Sequence, residues 1–143
     1  MSFEHASSAE IDALLRSART IAIVGLSADP ARPSYEVAET LLEYGYRVIP
    51  VNPALRAWKG IPASADLEAA QRTLEPGERI DIVDVFRRPE HVAQIVSDCI
   101  RLKLPALWLQ LGVVDEAAAR RAADAGIRVV MDRCIKVERE RIG

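Results

Sequence analysis

The sequence predicts a doubly wound α/β fold: a parallel sheet with helices packed on both sides. Three observations predict it. Segments rich in β-formers alternate with helical patterns along the chain. The β segments are continuous apolar runs such as "TIAIVG", "IDIVDVF" and "ALWLQLG", which argues for strands buried on both faces. The intervening helices carry their own punctuation: Ser34, Pro89 and Asp115 begin three of them, and Gly45 and Gly126 follow two.

The elements follow in order. From Ala9 to Ala18, apolar residues at Ile11, Leu14, Leu15 and Ala18 have helical spacing, with Ser8 as the expected N-cap. "TIAIVG" is the first strand and "SYEVAETLLEYG" the helix after it; "YRVIPV" is the second strand. The stretch from Asn52 to Glu78 is less regular, with a short edge strand expected in "AWKGIP", a short helix in "ASADLEAAQRTL" and a turn at "EPGE". "IDIVDVF", the helix "PEHVAQIVSDCIRL", "ALWLQLG", the helix "DEAAARRAADAG" and "IRVVM" complete the alternation. Counting the short strand as third, right-handed crossovers lead to a Rossmann-like order 3-2-1-4-5-6, with strands one and four flanking the point where the order reverses.

At 143 residues the chain suits one domain, 1–143, with no internal repeat and no linker long enough to divide it. A net charge of −2 gives no electrostatic reason to expect nucleic acid or an anionic membrane as partner. No apolar run approaches a membrane helix of roughly 18 residues, and the start "MSFEHASSAE" is no secretory signal. Cys99 and Cys134 form no metal or disulfide pattern, and His5 and His91 sit in no ligand-spaced cluster, so no metal site is expected. These features suit a reduced, cytoplasmic protein.

Ligands of such sheets bind outside the strand carboxyl ends. The segments there are "GLSADPARPS", "VNPALRAWKG", "FRRPE", "QLGVV" and "DRCIK". They bring Ser27, Arg32, Ser34, Asn52, Lys59, Arg87, Arg88, Gln110, Arg133 and Lys136 to one rim. A cationic, hydrogen-bonding edge on a slightly acidic chain suits an anionic ligand, a phosphate ester in particular. Gly25 is either a tight-turn glycine or a place where backbone N–H groups approach a phosphate near a helix N-terminus. Ser34 reads as the cap of its helix. Arg32 stands between Pro30 and Pro33, which stiffen the segment that carries it. One arginine of the Arg87–Arg88 pair is free to turn to Glu90 or Asp84 instead of a ligand. His91 reads as structural or solvent-facing, Cys99 and Trp108 as core, and Trp58 as a loop anchor. Cys134 reads as a small packed residue, with a rim thiol beside Arg133 as the alternative.

The usual nucleotide fingerprints do not fit. G-x-G-x-x-G and the P-loop pattern are absent, and the acid that binds a ribose at the end of strand two is replaced by Asn52 and Pro53. However, "IAIVGLSADPARPSYEVAETLLEYGYRVIPVNP", "DIVDVFRRPEHV", "LWLQLGV" and "AGIRVVMDRCIK" together resemble the small stand-alone CoA-binding proteins, which are similar to the CoA-binding domain of the succinyl-CoA synthetase alpha subunit. The resemblance runs from about Leu14 to Lys136. It implies a Rossmann-like fold that binds coenzyme A (CoA) or an acyl-CoA. It also implies contacts at Gly25, Leu26, Ser27, Arg32, Pro33 and Ser34 in the first loop and at Asn52 and Pro53 in the second. Val85, Phe86, Arg87 and Arg88 would contribute after strand four, and Gln110, Leu111 and Gly112 after strand five. On this reading the arginines meet phosphates, Phe86 and Leu26 pack on adenine or the pantetheine arm, and Asn52 and Gln110 bond ribose or amide groups. No position matches the synthetase's phosphorylated histidine, so the resemblance carries ligand binding and not ligase activity.

The rim holds no convincing nucleophile–base pair, which favours a non-catalytic module with no catalytic residue. The alternatives are a nicotinamide-dependent reductase or a CoA-transferase-type enzyme, for which Asp84 and Asp132 are the nearest acids. A further alternative is a subunit that lends its CoA site to a protein partner. A homodimer paired through an edge strand near Ala57 or Val129 is compatible with any of these.

Overall fold

The computed structural model describes residues 3–143; Met1 and Ser2, the first two letters of the expected non-signal start, lie outside the described residues. The main sheet contains β1 (Thr20–Val24), β2 (Arg47–Val51), β5 (Ile82–Val85), β6 (Ala106–Leu109) and β7 (Arg128–Met131), in the order β2-β1-β5-β6-β7. Every pairing in it is parallel. The expected doubly wound, Rossmann-like class is therefore found, with the reversal between β1 and β5.

The apolar runs divide between two cores. Ile21, Ile23, Ile82, Trp108 and Val130 face α1 (Ser8–Ser17), α2 (Pro33–Glu43) and the start of α6 (Ile135–Ile142). Ala22, Val83, Val85, Leu107, Leu109 and Met131 face α3 (Leu67–Arg72), α4 (Val92–Arg101) and α5 (Glu116–Asp124). This is what continuous apolar strands dictate: period-two alternation sends neighbouring residues to opposite sides, and both sides are covered. Each large side chain fully buried in this way contributes about 1.5–3 kcal/mol. Trp108, fully buried, also donates its indole N–H to the Arg133 carbonyl (2.8 Å), tying β6 to the segment after β7.

Helix starts differ from expectation in two places. Ser7, not Ser8, caps α1, in a capping box in which its hydroxyl accepts from the Glu10 N–H and Glu10 accepts from the Ser7 N–H. Arg32 occupies the N-cap position of α2 and Pro33 its first turn, so Ser34 does not cap the helix. Asp115 caps α5 as expected, and Asp66 caps α3. Pro89 opens a 3₁₀ turn, Pro89–His91, that leads into α4.

The expected third strand is replaced by an antiparallel hairpin, β3 (Ala57–Trp58) with β4 (Ile61–Pro62). Lys59 and Gly60 both have positive φ, 49° and 77°, the geometry of a two-residue turn that matches strand twist. Pro62 has no N–H to give to a sheet. Only Ser64 continues the main sheet, through a single parallel bridge to Val51. Trp58 anchors this excursion, fully buried and edge-on to Tyr35 at 5.6 Å. Among the described residues no helix is long and apolar enough to cross a membrane, and no group of His, Cys, Asp or Glu is arranged to hold a metal ion.

Candidate functional site

The reversal between β1 and β5 places the loop after β1 against the residues after β5. The Phe86 N–H donates to the Val24 carbonyl and the Gly25 N–H to the Val51 carbonyl, each at 2.8 Å, so Gly25 is held between its neighbours. Its φ is +87°, and a Cβ built there would lie 2.3 Å from the Phe86 carbonyl oxygen and 3.0 Å from Arg87 Cδ. Glycine is required here for both backbone conformation and close approach.

The rest of the first loop is held by its own polar groups. The Ser27 N–H donates to Ser34 Oγ at 3.0 Å, which is where the Ser34 hydroxyl is engaged instead of in a helix cap. Ser27 Oγ accepts from the Asp29 N–H, and Asp29 Oδ1 from the Ala31 N–H. Asn52 reaches across from the second loop: its Nδ2 donates to the Leu26 carbonyl at 3.1 Å, while its Oδ1 accepts from the Ala54 N–H. These local bonds and two prolines set the loop before any ligand arrives, which lowers the ordering cost of binding.

The charged groups on the rim separate into two sets. Lys59 pairs with Glu39, Lys136 with Glu36 at 2.7 Å, and Arg133 with Glu138 at 3.5 Å. The Lys136 contact holds the Glu36 carboxyl below its usual range. Arg88 turns to solvent with Glu90 3.8 Å away, its side chain 85% exposed. Arg32 and Arg87 have no side-chain hydrogen bond or ion pair among the described residues. Of the cations that the sequence places on the rim, these two have no internal acid.

Arg87 lines a cleft of about 170 Å³ with Val24, Val51, Pro53, His91 and Gln94. Two acids share it but are engaged: Asp66 caps α3, and Asp98 accepts from Gln94 and pairs with Arg101. The sequence reading missed His91 and Gln94 as rim residues. The signal was the position of Pro89, which starts its turn so close to β5 that the next residues stay at the rim. A larger groove, about 770 Å³, lies between residues 3–10 and β7, away from the strand carboxyl ends. The smaller cleft is the one at the strand carboxyl ends, the edge where sheets of this kind bind ligands.

Several expected contacts are placed elsewhere. The Leu26 side chain is fully buried in the core, so it does not present an apolar surface to adenine or a pantetheine arm; only its backbone faces the loop. Val85 is likewise core, and Phe86 is half-buried against the layer that holds α2. The side-chain oxygen of Gln110 accepts from the Ile135 N–H at the start of α6 (3.1 Å), leaving its amide nitrogen. Leu111 is exposed, and the Gly112 N–H is held by Asp132 Oδ1 at 2.7 Å. Asp84 is fully buried on β5, in register with Ile23 and Trp108, and neither carboxylate oxygen has a partner. Burial pushes its carboxyl well above the ordinary range. Cys134 is half-buried at the N-cap of α6, and Cys99 is core, where burial pushes its thiol up to about 12.

A Bacillus subtilis (strain 168) protein, the uncharacterized YneT, is 37% identical over 134 residues, covering 94% of this chain and 95% of its own length. The solved structure of cell-free ID.343 from Thermus thermophilus superposes with a TM-score of 0.85 at 37% identity, over 96% of this chain and all of that one. The dinucleotide-forming acetyl-coenzyme A synthetase 1 of Ca. Korarchaeum cryptofilum superposes at 0.63 over 79% of this chain and 26% of its own, and at 20% identity that likeness concerns the fold alone. Residues 19–140 match the CoA binding domain, and the chain belongs to that family.

Proposed function

We propose that this chain binds CoA or an acyl-CoA at the carboxyl ends of β1, β2, β5 and β6, without catalysing a reaction on it. The observation that carries this reading is the cradle at Gly25. There a position without a side chain is pinned against Phe86 and Arg87, beside a loop fixed by its own hydrogen bonds. Arg32 and Arg87 supply charge where a pyrophosphate and a 3′-phosphate need it, since arginine binds phosphate oxygens bidentately. Asn52 and Ser34 act by holding the loop that the phosphates would meet. The 170 Å³ cleft is smaller than the roughly 300–1,000 Å³ of a typical small-molecule site. CoA would therefore lie along the rim with one end in the cleft.

A transferase of this kind would need a reacting carboxylate. Asp132 braces Gly112, and Asp84 is sealed in the core, so neither supports a role as a reacting carboxylate. We read the protein as cytoplasmic, with two free cysteines.

Native mass spectrometry of freshly purified protein, followed by calorimetric titration with CoA and with NADP, tests the proposal. The expected result is a co-purified CoA or acyl-CoA mass, or saturable CoA binding below millimolar concentration. A chain that ignores CoA and takes up NADP belongs to the reductase reading instead. Turnover of an acyl-CoA by the pure protein would overturn the non-catalytic half of the proposal.

A further inference from the structure

We propose that the opposite pole of the sheet carries a second anion site, for a small ligand bearing a phosphate or carboxylate group. A groove of about 380 Å³ opens there, where α1 ends ahead of β1 and α2 ends ahead of β2. Arg16, Arg19 and Arg139 line it with Leu15, Tyr44 and Tyr46, and none of the lining residues is acidic. Two helix C-termini bring roughly half a negative charge each. Three guanidinium groups outweigh them, so the groove has a net charge of about +2 on a chain whose total is −2.

The arginines are not otherwise occupied by acids. Arg16 and Arg19 are exposed and have no side-chain partner among the described residues. Asp81 accepts from the backbone N–H groups of Arg19 and Thr20, but its side-chain cation is Arg79, at 2.9 Å. Asp12 and Glu138, the acids near α6, are taken by Arg141.

Arg139 is also held ready. Its Nε donates to the Tyr46 hydroxyl at 3.0 Å, and its guanidinium stacks 4.2 Å from the Tyr44 ring centre. Its Nη1 is buried and has no acceptor. Buried donors without acceptors are rare in folded proteins, because their lost hydration is not offset. A guanidinium plane fixed by two tyrosines needs little further ordering to meet an oxyanion in the groove. Three guanidinium groups around a groove of about 380 Å³, with no acid among its lining, favour a small anion.

The test is amide NMR titration with inorganic phosphate and, separately, with succinate, at constant ionic strength, with and without saturating CoA. We expect saturable shifts at residues 15–19, 44–46 and 139 that persist when CoA is bound. The Arg16→Gln/Arg19→Gln double variant should bind at least tenfold more weakly, with its melting temperature unchanged. Arg139→Gln should show the same loss, and if it fails to fold the double variant carries the test alone. Saturation by phosphate alone assigns a phosphoryl ligand, and by succinate alone a carboxylate; either supports the site. Shifts that never saturate, that survive in the double variant, or that fall on residues 25–34 and are displaced by CoA overturn it.

Discussion

Replacing Gly25 with alanine tests the cradle directly. The new Cβ would meet the Phe86 carbonyl oxygen at 2.3 Å, where about 3.0 Å is the lower limit for real contacts. The ends of β1 and β5 must therefore part by about 0.7 Å or more. That movement strains the 2.8 Å bond from the Phe86 N–H to the Val24 carbonyl, whose net worth is about 0.5–1.5 kcal/mol. A side chain at φ +87° adds about 1–2 kcal/mol. The expected destabilisation is about 2–3 kcal/mol, or roughly 6–10 °C in melting temperature for a chain of this size. Gly45→Ala is the control: φ is +97°, but nothing lies within 4 Å of the added carbon. It should cost only the backbone share, about 1–2 kcal/mol. Denaturant melts measure the two costs, and calorimetry measures CoA affinity, which should fall at least tenfold in Gly25→Ala and stay unchanged in Gly45→Ala. The reasoning fails if the two variants lose equal stability and bind CoA equally well.

Arg87→Ala should leave stability within about 0.5 kcal/mol, since its guanidinium has no internal partner, and should weaken CoA binding roughly 10- to 100-fold, the worth of a charge-assisted hydrogen bond. Arg88→Ala should cost less than Arg87→Ala, and the reverse ranking in calorimetry would contradict the assignment. Burial holds the Asp84 carboxyl well above its ordinary value, so the folded chain keeps a proton that the unfolded chain releases near about pH 4. The stability linked to this proton is complete below that pH and is lost as pH rises through the folded-state value. Asp84→Asn removes this slope, and its melting temperature relative to the parent should rise between about pH 5 and about pH 8; a constant difference would show that Asp84 does not titrate this way. With its thiol pushed up to about 12, Cys99 should be inert to a disulfide reagent near about pH 8, leaving one accessible thiol that Cys134→Ser removes. Two equally fast thiols would refute the packing around Cys99.

The parallel sheet was legible because burial on both faces leaves a mark that needs no partner: uninterrupted apolar runs between helical patterns. The rim was legible for a related reason, since topology sends every strand's carboxyl end to one edge, and Gly25, Asn52 and Arg87 follow from counting. The third strand was misread because a hairpin and an edge strand share composition. The turn at Lys59–Gly60 was the available signal, because two residues of positive φ fold the stretch back on itself as a hairpin. The α1 start moved by a residue because Ser7 and Ser8 are chemically alike and only the position of an N–H group selects between them, while Pro33 in the first turn of α2 puts that N-cap at Arg32.

The sequence by itself determined the class of fold, which depends on periodicity and chain order, and its motifs carried the resemblance to the family. Only the tertiary structure decided which cations stay free. Lys59, Lys136, Arg133 and Arg141 find acids far away in the chain or on a neighbouring turn, while Arg32 and Arg87 do not. It also decided that Leu26 belongs to the core and that Ser34 holds a loop instead of a helix. Whether a polar side chain is available to a ligand depends on what else lies within about 3 Å of it, and that distance exists only after the chain has folded.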